Sequence, residues 1–116
     1  LFSILFNEAS INSRIQRMEW ELFLSQLKKE IHSSDGIEIV NGQLVLINGE
    51  DKITFQKYGT QLRRQVNMKG HEIVLQNVAS VLFIKSSGSV RIEVLDSFSK
   101  THIGIAYPFI RAGSSG

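Results

Sequence analysis

The chain has no cysteine and a single proline, Pro108, in 116 residues. The first absence excludes a disulfide framework, a thiolate zinc site and a cysteine nucleophile, but leaves the compartment open. No run approaches the about 20 consecutive apolar residues that a membrane-spanning helix needs. A surplus of one charge is lacking too. Thirteen Lys and Arg face eleven Asp and Glu, and a net charge of +2 is too small to argue for nucleic-acid binding by itself. What is present is a globular composition, 42% hydrophobic and 21% charged, which excludes wholesale disorder. The length suits one domain, not two. The chain does not begin with Met and reads as a fragment or a processed product.

The chain opens with Leu1-Phe2-Ser3-Ile4-Leu5-Phe6. Two readings compete there: a helix start packed on the domain, or the cut end of a membrane segment. From Asn7 to Ile31 the pattern is helical, with no Pro or Gly. At about 100° per residue its apolar positions form two stripes. Ile4, Ile11, Ile15, Met18 and Leu22 share one face; Trp20, Phe23, Leu24, Leu27 and Ile31 share the opposite one. A helix of some 30 residues spans roughly 45 Å, longer than a domain of this size is wide.

The expectation is an N-terminal helix over residues 1–32. Its rear half packs on its own sheet through Trp20, Phe23, Leu27 and Ile31. Its front stripe, Ile4, Ile11, Ile15, Met18 and Leu22, faces partner helices. The competing arrangement buries both stripes in one compact fold. On the first, Trp20→Ala destabilises by about 3–5 kcal/mol, and Ile15→Asp leaves the isolated fold nearly intact. Ser33-Ser34-Asp35-Gly36 ends the helix, with Gly36 suited to the position just beyond it.

After Gly36 the period changes to two. Ile37–Val40, Asn41-Gly42 and Gln43–Ile47 read as a hairpin with a type I′ turn. Further strands are expected at Lys52–Tyr58, Gln61–Met68, Val78–Ile84 and Val90–Val94, with Lys69-Gly70-His71 as a bend. A last strand should carry Ile103, Ile105, Tyr107 and Phe109 on one face, opposite Gly104, Ala106 and Pro108. Short links imply an antiparallel meander. The predicted fold class is α+β: a long N-terminal helix packed on an antiparallel β-meander over residues 33–111, with a flexible tail at 112–116.

No catalytic pattern stands out. His32, His71 and His102 are far apart in sequence, no glycine-rich loop runs from a strand into a helix, and the acids are scattered singly. No enzyme, metal or cofactor is expected. One charge feature rises above background: Lys52, Lys57, Arg63, Arg64 and Lys69 occur with no acid between Lys52 and His71. A hairpin there makes Lys57, Tyr58, Arg63, Arg64 and Lys69 candidate DNA contacts, with Tyr58 available for stacking. The competing reading is a solvated strand edge protected by its cations. Arg64 alternates with Leu62 and Val66, so it points coreward and needs either a route out to solvent or an acid.

Trp20-x2-Phe23-x3-Leu27, then Ile53-x-Phe55-x-Lys57-Tyr58, then Leu62-Arg63-Arg64-x-Val66-x3-Gly70-His71-Glu72-x2-Leu75-x-Asn77-Val78, resembles the late-competence family ComGF over roughly residues 18–109. The resemblance implies a minor pilin of the Gram-positive transformation pilus, similar to type IV pilins and pseudopilins. Such a subunit waits in the cell membrane as a single-pass protein and then joins an extracellular pilus at the cell surface. It takes part in assembly and in uptake of extracellular DNA. The implied partners are other major and minor competence pilins, extracellular DNA, and the membrane through a segment missing here. Leu1–Phe6 would be the remaining end of the membrane helix. A nucleic-acid-binding module and a pseudopilin of a protein secretion system are the alternatives.

Overall fold

A computed structural model describes residues 15–108. Ile4, Ile11, Phe109 and the tail from 112 to 116 lie outside the described residues. Helix α1 (Arg17–Ser33) is 17 residues long. It begins where it does because Gln16 is extended, with φ −72° and ψ 150°. The Gln16 carbonyl accepts the first helical bond, from the Trp20 N–H at 2.9 Å. The Glu19 carboxylate reaches back to the Gln16 N–H at 3.0 Å, as in a capping box. Glutamine is not among the favoured N-caps, so nothing in the pattern marks this start. At the other end the Ser34 hydroxyl donates to the Ile31 carbonyl at 2.8 Å, and Ser34 is itself extended. Gly36 opens the first strand instead of capping the helix.

Eight strands follow: β1 (Gly36–Val40), β2 (Gln43–Asn48), β3 (Asp51–Tyr58), β4 (Gln61–Val66), β5 (Lys69–Gln76), β6 (Val78–Lys85), β7 (Val90–Asp96) and β8 (Thr101–Ala106). They form two sheets, β1-β2-β3-β4-β5 and β6-β7-β8, with every neighbouring pair antiparallel. The expected α+β arrangement, a long N-terminal helix on one antiparallel meander, is therefore overturned. One short helix accompanies two sheets among the described residues. The break between sheets falls at Asn77, whose φ of 60° turns the chain out of the first ladder. The Val78 N–H then bonds the Thr60 carbonyl at 2.8 Å rather than continuing the meander.

The two sheets approach along β1 and β6, where the Lys85 ammonium donates to the Ile37 carbonyl at 2.9 Å. Leu44, Leu46, Phe55 and Leu62 from the larger sheet meet Phe83, Val90, Ile92 and Val94 from the smaller. Trp20, Phe23, Leu27 and Ile31 on α1 close the same core. Each such side chain contributes roughly 1.5–3 kcal/mol on burial. The Asn41-Gly42 turn has φ values of 52° and 75°, the double positive pair that a type I′ hairpin requires.

Strand β8 alternates as expected, and the Gly104 row is the inner one. His102, Gly104 and Ala106 face inward, whereas Ile103, Ile105 and Tyr107 are exposed. The cause is the closeness of α1. A Cβ placed on Gly104 would lie 2.5 Å from Leu24 Cδ1, so this inner position has room for no side chain unless Leu24 moves.

Candidate functional site

The basic run does not fold into one patch. Period-two alternation puts Gln56 and Tyr58 on the outer face of the five-stranded sheet, and the register sets Arg63 beside Gln56. There the Arg63 guanidinium lies 4.1 Å from the Tyr58 ring centroid, a cation–π contact. Its Nε and Nη2 donate to Gln56 Oε1 at 2.9 and 2.6 Å, and Nη1 donates to His71 Nδ1 at 3.2 Å. The His71 ring meets Tyr58 edge-on at 4.9 Å. The result is a preorganised cation with an aromatic neighbour on an amide-rich face, a surface able to stack a planar base or meet a phosphate. Gln56 and His71 were not among the expected contacts. Alternation reveals Gln56, whereas His71 belongs to a strand that its polar sequence conceals.

The other three candidates are dispersed. Lys57 pairs with Leu62 on the opposite face from Arg63 and donates to the Gly59 carbonyl. Lys69 sits beside Val66, at the far end of the β4 hairpin from Tyr58; five residues at about 3.3 Å each make this about 17 Å. Arg64 faces coreward and finds its acid on the helix. Its Nη2 and Nε both lie 2.9 Å from Glu30 Oε1, and Nη1 lies 3.2 Å from Glu72 Oε1. Burial alone would lower the Arg64 pKa, but bonding and attraction to Glu30 and then Glu72 outweigh it and raise it. Arg64 is a clamp between α1 and the sheet.

A buried carboxylate organises the opposite end of the molecule. Asp96 accepts the N–H groups of Phe98 and Lys100 at 2.9 Å each, closing the β7–β8 turn. Its Oδ2 also accepts from His102 Nε2 at 2.9 Å and from the Ile15 N–H at 3.0 Å. Burial pushes this carboxyl up, yet the bond from His102 and those from the backbone of Lys100, Ile15 and Phe98 prevail, holding it below its usual 3.8. The His102 ring in turn lies 5.4 Å from Trp20.

This anchoring corrects the expected assembly face. Ile15 is only 2% exposed and belongs to the core, so Ile15→Asp would strike the fold itself. Met18 and Leu22 differ: they are 72% and 68% exposed, one turn apart on the free side of α1. Leu22 also walls a shallow groove with Ile73 and Val74 of β5. No helix among the described residues is long and apolar enough to cross a membrane.

The described residues thus combine a helix closed onto two sheets, an exposed Met18–Leu22 pair and an Arg63–Tyr58 cluster. The family comparison is specific: a family model described as "Putative Competence protein ComGF" matches residues 7–100. The chain belongs to the ComGF family, and its role is competence-related. No curated protein and no solved structure matches it.

Proposed function

We propose that the chain is a minor pilin of a competence pilus, a non-catalytic subunit that takes part in pilus assembly and in uptake of extracellular DNA. It is held at the cell membrane before assembly and at the cell surface afterwards, and its partners are other competence pilins. The observation that carries this reading, alongside family membership, is the pair Met18 and Leu22 standing in solvent on one face of α1. Adjacent large apolar side chains favour cover by another subunit, and each contributes roughly 1.5–3 kcal/mol when buried.

These 116 residues contain no cysteine, so Leu22→Cys adds their one thiol for crosslinking in the full-length protein. In competent cells, adducts with other pilin subunits are the expected result. Adducts with cytoplasmic proteins alone, or none at all, overturn the reading.

The Arg63–Tyr58 contact favours a second reading, direct contact with single-stranded nucleic acid. Anisotropy titration with a labelled oligonucleotide should then show binding that weakens with salt and falls further in Arg63→Ala. No binding at low ionic strength removes this reading.

A further inference from the structure

The outer face of the three-stranded sheet carries an ordered pattern that the core does not use. The inner row of β7 is Val90, Ile92, Val94 and Asp96, all buried. Its outer row therefore presents Arg91, Glu93 and, at the strand's end, Leu95, and Arg91 Nε donates to Glu93 Oε2 at 2.8 Å. The register places Leu82 of β6 and Ile103 of β8 on either side of Glu93. Ile84 and Ile105 likewise flank Arg91. These four aliphatic side chains are 52%, 48%, 38% and 39% exposed, in the order named. Large apolar groups thus face solvent on both edges of a sheet whose centre holds one cation and one anion, about 7 Å apart along the strand.

Charge order selects the occupant. A covering surface must offer aliphatic groups at its margins and an anion and a cation in reverse order at its centre. A second copy does this. Rotation by 180° about an axis that crosses β7 between Arg91 and Glu93 lays β7 over its own copy, antiparallel. Arg91 then faces the second Glu93, and Glu93 faces the second Arg91. Leu82 comes over Ile84 and Ile103 over Ile105, so apolar meets apolar at every margin. This is the self-complementarity an isologous interface needs, with two sheets packed face to face.

We propose that two copies of this chain associate through the outer faces of β6, β7 and β8, in register on the Arg91–Glu93 pair. The proposal does not depend on the pilus reading.

Sedimentation equilibrium of the purified chain, from micromolar to millimolar concentration, tests it. The expected mass rises with concentration toward twice the 13.1 kDa of one chain. Arg91→Glu and Glu93→Arg each set like charges face to face, so each alone should weaken self-association by about tenfold or more. An equimolar mixture of the two variants restores opposite charges at both positions and should associate like the wild type. Circular dichroism of each variant confirms that the fold is kept, and Leu82→Glu provides a second variant if either reversal fails to fold. A wild-type mass that stays monomeric throughout overturns the proposal. So do reversals that associate as the wild type does, or a mixture that stays apart.

Discussion

Asp96 receives the backbone N–H of Ile15 at 3.0 Å across a separation of 81 residues. The contact joins Ile15, just before α1, to the β7–β8 turn and holds it within the fold. Asp96→Ala deletes the acceptor for three backbone donors and for His102, all part-buried or buried. An expected loss of about 3 kcal/mol or more follows from leaving such donors unpaired. Urea unfolding followed by Trp20 fluorescence reads it directly.

The same carboxylate gives an acid dependence of definite sign. Its folded pKa lies below 3.8, so between the two values the unfolded chain holds a proton that the folded chain does not. Its stabilising contribution is complete above the unfolded value and is lost as pH falls through the folded one. Asp96→Asn should therefore be clearly less stable than wild type at neutral pH. The gap should narrow as pH falls below about 5. Urea midpoints of both proteins across that range test the sign.

Gly104 and Leu24 form a close-fitting pair. Gly104→Val drives side-chain atoms into Leu24 and should destabilise by about 1–3 kcal/mol, the usual range for overpacking. Adding Leu24→Ala should recover part of that loss, which a double-mutant cycle measures as a favourable coupling. Additive losses would mean that α1 and β8 do not press on each other there.

Arg64 holds Glu30 by a two-pronged contact on a side chain that is 22% exposed. Arg64→Met leaves the carboxylate of Glu30 without its cation and should cost about 1–3 kcal/mol, less than a fully buried pair because solvent reaches it. Arg64→Lys should restore only part, since an ammonium cannot make the paired contact. Equal stability of the Lys variant and wild type would contradict the geometry.

How far the molecule was legible in the sequence depends on what each signal encodes. Period two placed β7, and Asn41-Gly42 placed the first hairpin, because both are local properties of the chain. The coreward Arg64 was also readable from alternation, together with its need for an acid, though not that Glu30 on the helix supplies it. Strand β5 was hidden, since Lys69-Gly70-His71-Glu72 is polar and register shifts at Leu62/Arg63 and Arg64/Val66 break its alternation. With it went His71 and the true makeup of the Arg63 cluster. The start of α1 was missed because Gln16 is an unusual cap, and Ile15 was consequently given to an outward stripe. The alternation of β8 was legible, but which row is inner was not, because that is set by a tertiary contact: Leu24 occupies the space above Gly104. Two sheets instead of one is likewise a matter of distant pairing, which a period cannot record.

The assembly role proposed for Met18 and Leu22 is tested most directly by transformation frequency. A strain lacking the gene is complemented with the full-length protein carrying Met18→Asp and Leu22→Asp together. Both side chains are exposed, so the domain should fold and accumulate as the wild type does. The account predicts that transformation falls at least tenfold while protein level is unchanged. Wild-type transformation by the double variant, at equal protein level, would contradict it.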